Sequence, residues 1–531
     1  MYKHIIFLFV LVGLFSKCAR VGRPTGGDKD LKPPITISAS PDFETVNFKS
    51  DRIKIYFDEY IKFKDLNKQL IVSPPLNYPL EITPLGTASK FISIKIKDTL
   101  KENTTYTINF GNAIVDNSEG NVLKQFKYVF STGSYLDSLQ ISGSVKDAFS
   151  KETPKDISVL LYAIDSSFTD SIIYKRKPDY ITNTVDTTAF SITNIKEGNY
   201  LLLALKDASK NMQYDAKEDQ IAYLKAPVTL PSDSSYQLIL FKEKPEFAVK
   251  KIVEVSMNHK LLAFEGDLGK NKVVEVLDKE KNPVSFFSYK DRQSDSLHIW
   301  HKDIKTDSLI VRMMVKDSIN TLFVKQRSKD RDSLQIIKSS RQILPLRDSL
   351  FIISNIPIET VDAAYINFID KDSAKIPFTI VENPLKDKFQ IAFDKKYNTN
   401  YSLTLLPKAV TDFIGQQNDT LKISFNTKKP EDYGGIDLKL VLQNKSPVIV
   451  ELVTDKGVLV SRRYITESQT LKYPLLVPTK CTFRVIIDDN RNKKWDSGNF
   501  LKKIQPEKVF YYSKEIEVRA NWSITEEFIV K

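Results

Sequence analysis

The sequence predicts an all-β protein made of tandem β-sandwiches, and three observations lead to this prediction. Most periodic segments alternate apolar and polar residues, as over 52–57, 90–97 and 422–425. Such segments are typical of half-buried strands, and turn-forming Asn, Asp, Gly, Pro and Ser bound them. Helical spacing is nearly absent, with one short turn expected over 60–70. At 531 residues the chain is too long for one core, so several domains are expected.

The N-terminus has the pattern of an export signal. Lys3 precedes an apolar stretch over 5–15, which is too short to span a bilayer because a span needs about 20 apolar residues. Cys18 follows, and this arrangement resembles the lipobox of bacterial lipoproteins, which implies that Cys18 becomes the acylated first residue. Lys17 stands where a small residue is usual, so an ordinary signal peptide is the alternative. We assign 1–17 as the signal peptide and expect lipidation at Cys18.

A flexible tether is predicted over 18–34. Gly and Pro are frequent there, and Val21 and Leu31 are its main bulky apolar residues. This composition favours neither helix nor strand. The chain has two cysteines, and acylation of Cys18 leaves no intramolecular disulfide for the other one. The folded modules must therefore be stabilised by apolar cores.

Two stretches of the chain repeat one another. Each contains, in the same order, a tyrosine, an alanine, an aspartate and a closing Phe-x-Thr motif, namely Tyr106, Ala113, Asp116 and 130–132, and then Tyr401, Ala409, Asp412 and 425–427. The simplest interpretation is one strand–loop–strand unit used twice. A second pair of repeats follows, since 195–207 aligns with 476–488 and places Cys481 at the position of Tyr200. Cys481 is therefore expected to be a core residue rather than a reactive thiol.

The first repeat resembles a known family. The motifs that carry the resemblance are 22–27, Pro33-Pro34, Ser40-Pro41 and 55–59. They are similar to Bacteroidota lipoproteins with a bacterial Ig-like domain of the S-layer (SbsA) type, closely over 18–133 and more loosely over 345–427. Residues 137–245 and 431–531 resemble the prealbumin-like or carboxypeptidase-regulatory β-sandwiches of the same proteins. The resemblance implies an outer-membrane lipoprotein and supplies no catalytic residues.

On this basis we divide the rest of the chain into five modules. They are module 1 (35–133, Ig-like), module 2 (134–245, prealbumin-like), module 3 (246–340, β-rich), module 4 (341–428, a divergent Ig-like domain) and module 5 (429–531, prealbumin-like). We expect the modules to follow one another in series, as a rod that begins at the tether.

Each prealbumin-like module has an Asn/Asp-rich loop whose spacing matches a calcium site. Oxygen ligands at positions 1, 3, 5, 9 and 12 are what a calcium loop uses. The candidate ligands are Asp207, Ser209, Asn211, Asp215 and Glu218 in the first loop and Asp488, Asn490, Asn492 and Asp496 in the second, with Asn499 at position 12. Met212 and Lys493 replace the glycine usual at position 6. The alternative is a turn whose side chains bond their own backbone. Calcium is the one cofactor considered.

The sequence disfavours catalysis and nucleic-acid binding. The net charge of +12 is scattered rather than clustered, which disfavours nucleic acid. A basic surface near anionic lipid or acidic polysaccharide is the better use of this charge, and solubility alone explains it equally well. Beyond the signal peptide the histidines are His259, His298 and His301, and the last two lie three apart on a strand and face opposite sides. No nucleophile elbow or glycine-rich phosphate loop occurs.

The sequence therefore favours a non-enzymatic protein, attached by lipid to the outer membrane and facing either the periplasm or the cell surface. Its expected role is that of a modular spacer or interaction scaffold for an envelope component, with the oligomeric state left open. The alternative is a carbohydrate-binding or polysaccharide-handling accessory, motivated by positive charge and aromatic content, for which Trp495 is a candidate contact. An enzyme within module 3 would require a pocket around its histidines.

Overall fold

The computed structural model describes residues 29–269, 272–292, 294–315, 318–328, 330–338, 342–443 and 445–531. Regular structure in these ranges is almost entirely β-strand, which confirms the predicted all-β class. In the described ranges, helices are limited to α1 (Leu66–Gln69), where one turn is expected, and to 3-10 turns at Asp170–Tyr174, Ala363–Tyr365 and Pro430–Asp432. No helix in this part of the chain is long and apolar enough to cross a bilayer. The signal peptide at 1–17, Cys18 and the tether up to residue 28 lie outside the described residues.

Module 1 is a two-sheet sandwich. Its strands are β1 (Thr36–Ser40), β2 (Arg52–Phe63), β3 (Ile71–Ser73), β4 (Glu81–Thr83), β5 (Ser89–Lys95), β6 (Thr105–Gly111), β7 (Ile114–Asp116) and β8 (Phe126–Ser131). One sheet has the order β1-β2-β5-β4 with β7 beside β2, and the other has the order β3-β6-β8. Ile53, Ile55 and Phe57 of β2 point into the core between them, so the period-two pattern gives the buried face directly.

Module 2 also contains two sheets. Its strands are β9 (Leu139–Asp147), β10 (Ser158–Ala163), β11 (Tyr180–Asn183), β12 (Ala189–Ile195), β13 (Gly198–Lys206), β14 (Gln220–Tyr223), β15 (Val228–Leu230) and β16 (Ser235–Leu240). The sheets have the orders β11-β10-β13-β14, with β15 beside β13, and β12-β9-β16. Residues 201–205 of β13 are all buried, because the larger sheet is covered on both faces.

Module 3 packs a four-stranded sheet on a three-stranded one. Its strands are β17 (Ala248–Ser256), β18 (His259–Glu265), β19 (Lys272–Asp278), β20 (Phe286–Lys290), β21 (Ser296–His301), β22 (Ser308–Val315) and β23 (Ser318–Lys325). The orders are β17-β18-β21-β20 and β19-β22-β23. Leu262, Leu297, Ile299, Val311 and Met313 belong to the core.

Module 4 begins earlier than the sequence indicates. Its strands are β24 (Ile336–Lys338), β25 (Leu350–Ser354), β26 (Ile358–Val361), β27 (Ile366–Asp370), β28 (Thr379–Glu382), β29 (Lys388–Ala392), β30 (Asn400–Leu405), β31 (Val410–Asp412) and β32 (Leu421–Asn426). They form sheets β24-β25-β29-β28, β26-β31 and β27-β30-β32. Because β24 pairs with β25 and not with module 3, the boundary expected at 340/341 lies upstream of residue 336.

The repeated tyrosine has the same role in modules 1 and 4. The Tyr106 hydroxyl oxygen accepts a hydrogen bond from the Lys101 backbone N–H at 2.8 Å, and Tyr401 accepts one from Lys396 at 2.8 Å. In the first copy the hydroxyl of Thr132, from the Phe-x-Thr motif, donates to the Lys101 carbonyl at 2.7 Å. The repeated residues therefore join the loop before a central strand to the end of the closing strand.

Module 5 has the topology of module 2. Its strands are β33 (Gly434–Leu442), β34 (Val448–Thr454), β35 (Leu459–Ile465), β36 (Gln469–Leu476), β37 (Thr479–Ile487), β38 (Val509–Tyr511), β39 (Ile516–Val518) and β40 (Ser523–Val530). The orders are β35-β34-β37-β38, with β39 beside β37, and β36-β33-β40. Thr454 pairs with Cys481 as Ala163 pairs with Tyr200, so the aligned residues occupy equivalent positions. Cys481 is buried, and burial raises the pKa of its thiol to about 11.

The modules do not form a simple rod. Phe500 and Trp495 of module 5 lie in the same apolar cluster as Leu203, Tyr223 and Phe241 of module 2. The chain therefore folds back, and its last module covers the outer face of the larger module 2 sheet. The expectation of modules in series misses this contact, because strand patterns describe each module and not its neighbours.

Candidate functional site

The first Asn/Asp loop joins β13 to β14 and is closed by its own carboxylates. The Asp207 carboxylate accepts a hydrogen bond from the Met212 backbone N–H at 2.6 Å. Buried Asp219, which sequence reasoning does not select, accepts from the backbone N–H groups of Ala208 and Asp215, each at 2.9 Å. Asp219 therefore connects the beginning of the loop to its end.

The second loop, between β37 and β38, repeats this arrangement. The Asp488 carboxylate accepts from the Lys493 backbone N–H at 2.9 Å. Glu507 accepts from the backbone N–H groups of Asp489, at 3.1 Å, and Asp496, at 3.0 Å. Glu507 is thus the counterpart of Asp219. Burial raises the pKa of Glu507, and the nearby charges of Asp496 and Asp488 add to this effect.

Both loops have left-handed backbone at the same two positions. Lys210 and Met212 have φ of 57° and 62°, and Arg491 and Lys493 have φ of 60° and 65°. A left-handed conformation costs a residue with a side chain about 1–2 kcal/mol. The missing glycine at position 6 therefore does not prevent the loop from adopting the turn that a glycine would favour.

The other predicted ligands also bond within their loops. In the first loop the Ser209 hydroxyl donates to the Asp207 carboxylate at 3.2 Å, and the Asn211 side-chain oxygen accepts from the Gln213 backbone N–H at 2.7 Å. In the second loop the Asn490 amide donates to the Asp496 carboxylate at 2.6 Å. The Asn492 amide also donates to that carboxylate. Glu218 is exposed, beside buried Asp219.

The arrangement bears on the calcium prediction in two ways. Asn490, Asn492 and Asp496 converge, as ligands at positions 3, 5 and 9 should. However, Asp207 and Asp488 already accept from their own backbones, and the described residues hold no group of three or more His, Cys, Asp or Glu placed to bind a metal ion. Calcium at these loops stays a prediction. Asn499, at position 12, contacts module 2, because its backbone carbonyl accepts a hydrogen bond from the Tyr223 hydroxyl at 3.3 Å.

Trp495 of the second loop lies against module 2. Its ring nitrogen donates to the Glu507 carbonyl at 3.0 Å, and its ring centroid is 4.9 Å from that of Phe149. The ring is therefore part of the contact between modules 2 and 5. The bond to Glu507 shows that Trp495 supports its own loop, and the contact with a sugar that the sequence suggests for it stays a prediction.

Phe500 is the centre of this contact. It is completely buried, and its ring stands perpendicular to that of Tyr223 with centroids 5.2 Å apart. The Phe500 backbone N–H donates to the Glu243 carboxylate. A Cβ on Gly498 would lie 2.6 Å from Cζ of Phe241, so only glycine permits this close approach. A specific fit, rather than a loose contact, joins the two modules.

A buried ion pair supports the opposite side of the interface. Glu451, on the outer face of the larger module 5 sheet, is 1% exposed and accepts from Nε of Arg462 and Nε of Arg484, each at 2.7 Å. The Arg484 guanidinium lies 4.2 Å from the ring centroid of Phe149, a cation–π contact. The Tyr511 hydroxyl donates to the Phe149 carbonyl at 2.8 Å. Module 2 thus covers a charged cluster of module 5.

The histidines of module 3 form a stacked pair. Nε2 of His259 lies 2.8 Å from Nδ1 of His298, and Nε2 of His298 lies 3.1 Å from a carboxylate oxygen of Asp291. The His259 ring stacks on Trp300 with centroids 4.1 Å apart. Burial lowers the pKa of His259 to about 3 and that of His301, on the opposite face, to about 4.

This pair lies near the boundary between modules 3 and 4. Trp300 packs in one apolar cluster with Ile356 and Phe413 of module 4. Sequence reasoning places His298 and His301 on opposite faces correctly but does not find the pairing with His259, which belongs to the neighbouring strand. A buried imidazole with a lowered pKa, such as that of His259, is suited to packing in such a contact rather than to proton transfer.

Comparison with known proteins defines the class at the level of the fold. Residues 30–132 match a protein family described as the bacterial Ig-like domain. Similar solved structures include the S-layer protein rSbsC(31-844), with 9% identity, 88% of this chain and 67% of that chain covered and a TM-score of 0.14. A biofilm-associated protein BSP domain shows 8% identity, 87% and 96% coverage and a TM-score of 0.15. No curated protein sequence matches significantly.

TM-scores this low indicate no common overall arrangement, so nothing about function is transferred from those proteins. The chain is an all-β protein of tandem β-sandwiches that includes a bacterial Ig-like domain. Module 4 lies outside the matched residues, and its Tyr401 bond to Lys396 repeats that of Tyr106 to Lys101 in module 1.

Proposed function

We propose that this protein is a non-enzymatic scaffold of the cell envelope, anchored by lipid at Cys18 to the outer membrane. The observation that carries the proposal is the insertion of Phe500 into module 2, because it joins the last sandwich to the second one and so gives the two modules a defined arrangement. The bacterial Ig-like match over 30–132 supports a modular role of this kind. Its partners are the membrane and either a protein or a polysaccharide of the envelope, and no nucleic acid is involved.

Fractionation of cells tests the anchor. The full chain should sediment with outer membranes, and the Cys18→Ser variant should become soluble, whereas Cys481→Ser should leave the distribution unchanged. Protease treatment of intact cells then separates a surface-exposed protein from a periplasmic one. A Cys18→Ser protein that still sediments with membranes would refute lipid attachment.

Pull-down from crosslinked envelopes tests the scaffold role. The wild-type chain should enrich one or more envelope components, and a variant that separates modules 2 and 5, such as Phe500→Ala, should enrich them less. Recovery of the bait alone under both conditions would count against a scaffold.

A carbohydrate-binding accessory is the second candidate, and one surface favours it. Tyr56 and Phe91 are paired on the outer face of module 1, with ring centroids 6.0 Å apart and about two-fifths of each side chain exposed. Lys54 lies 5.8 Å from the Phe91 ring centroid. Exposed rings of this kind can stack on sugar faces. The wild type should bind glycans on an array more strongly than the Tyr56→Ser/Phe91→Ser variant. An array on which neither protein binds any glycan would remove this candidate.

A further inference from the structure

An open cleft of about 750 Å³ lies between modules 1 and 2. The segment from α1 to residue 80 forms one wall, and strands β10 and β11 with the first Asn/Asp loop form the other. Two hydrogen bonds join the walls: the Ile181 backbone N–H donates to the Ser73 hydroxyl at 3.1 Å, and Nζ of Lys177 donates to the Leu76 carbonyl at 2.7 Å. The volume falls in the range of about 300–1,000 Å³ found for ligand sites.

The floor of this cleft is aliphatic. Leu70, Val72, Leu76, Leu80 and Met212 line it and are only partly buried by the protein itself. Such a surface favours a ligand with an apolar chain, because covering it removes hydrocarbon from water at about 25 cal/mol per Å².

The rim of the cleft is basic. Six lysines line it against three carboxylates, an excess of three positive charges: Lys68, Lys155, Lys177, Lys206, Lys210 and Lys242, with Asp156, Asp207 and Glu218. Lys68, Lys155, Lys206 and Lys210 form no ion pair with any residue that the structure describes. The Asp207 carboxylate is occupied by the Met212 N–H. The rim therefore attracts anions.

Three of these lysines lie at one end of the larger module 2 sheet. Ser158 pairs with Leu205, so the residues just before 158 and just after 205 leave the sheet on the same side. Lys155, Lys206 and Lys210 are therefore brought to one end of the apolar floor. A ligand with one anionic end and one apolar end fits this polarity.

We propose that the cleft binds an anionic phospholipid, with an acyl chain on the aliphatic floor and the phosphate among Lys155, Lys206 and Lys210. An acidic polysaccharide has no apolar part to cover Leu76 and Met212. A peptide added as a strand needs a free strand edge, and β11 and β3 already face one another through the Ile181–Ser73 bond. The proposal does not depend on attachment at Cys18, because lipid supplied in solution tests it.

Calorimetric titration of the purified full chain with short-chain lipids provides the test. Dihexanoyl-phosphatidylglycerol should bind at least tenfold more tightly than dihexanoyl-phosphatidylcholine, which has the same chains and no net charge. Lys155→Gln/Lys206→Gln/Lys210→Gln should raise the Kd for the anionic lipid at least tenfold. The control Lys371→Gln/Lys456→Gln/Lys514→Gln removes the same charge from exposed sites elsewhere and should change the Kd less than twofold.

A second variant tests the floor without changing charge. Ala208 is exposed and lines the cleft, so the larger side chain of Ala208→Trp should fill part of the cleft and raise the Kd for the anionic lipid at least tenfold. Equal affinity for the two lipids, or equal loss in the cleft and control lysine variants, would overturn the proposal. Glycerol phosphate or polyglutamate binding as tightly as the anionic lipid would overturn it too, since neither has an acyl chain. Melting curves confirm that each variant is folded.

Discussion

Truncation of Phe500 is the sharpest test of the folded-back arrangement. The Phe500→Ala variant removes a completely buried ring that packs in an apolar cluster whose other fully buried members all belong to module 2. The effect should therefore fall on the docking of the two modules rather than on the stability of either core. Module 5 has a separate core built around residues such as Leu438, Val450 and Phe483, which the substitution leaves intact.

The magnitude follows from the burial of the ring. Phe→Ala at a buried site costs about 3–5 kcal/mol, which includes the cavity left behind. The perpendicular contact with Tyr223 accounts for about 0.5–1.5 kcal/mol of such a loss. Since every 1.4 kcal/mol is about tenfold, the ratio of docked to undocked molecules should fall at least a hundredfold.

Hydrogen exchange and small-angle scattering measure this change. In Phe500→Ala, amides of β14 and of 497–505 should lose protection, and the radius of gyration should rise. Phe323→Ala is a matched control, because Phe323 is 74% exposed on β23 and its truncation removes the same atoms without opening a cavity. Unchanged protection in Phe500→Ala, or the same loss in both variants, would refute the docking role of Phe500.

Three further predictions concern stability. Lowering the pH from 7 to 5 should reduce the free energy of unfolding by roughly 4 kcal/mol. The reason is that His259 and His301 have lowered pKa values, so below about pH 6.5 these two residues take up protons in the unfolded chain but not in the folded one. Denaturant titrations that give the same free energy of unfolding at both pH values would contradict this. Glu451→Gln should cost about 3–5 kcal/mol in the same assay because it removes the carboxylate that pairs with the largely buried Arg484, whereas exposed Glu431→Gln should cost almost nothing. Calcium at 10 mM should stabilise the chain over chelator by about 1.4–2.7 kcal/mol for each loop that binds it with a Kd near 10⁻³–10⁻⁴ M, and Asp488→Asn should remove the share of the second loop; identical melting curves with and without calcium would remove the site.

The strands were predictable because their cause is local. Alternation along β2 follows from one face packing on the core and the other facing water, so neighbouring residues in the sequence carry the signal. The repeated Tyr106 and Tyr401 were visible for a similar reason, since each bonds to a residue five positions earlier. The continuous apolar run over 201–205 also indicates that both faces of this sheet are covered, which the assignment of a strand alone does not express.

The sequence does not contain the contact between modules 2 and 5 in readable form. Phe500 meets Glu243 from 257 positions away, and no periodicity links them. A fixed spacing also fails to find the carboxylates that close the two loops. Asp219 accepts from the backbone N–H of Ala208, 11 positions earlier, whereas Glu507 accepts from that of Asp489, 18 positions earlier. A fixed position 12 therefore selects Glu218 and Asn499 instead. Such loop lengths are set by what the loop packs against, which only the structure shows.

The order in which the chain is made gives the folded-back contact a further consequence. Glu243 of module 2 precedes Phe500 by 257 residues, so the outer apolar face of module 2 is made well before the segment that covers it. Until that segment docks, an apolar surface that is prone to aggregation stays exposed, and it includes Leu203, Tyr223 and Phe241. A newly made chain therefore needs either a chaperone or rapid completion to avoid aggregation, and truncation before module 5 should leave that surface permanently open.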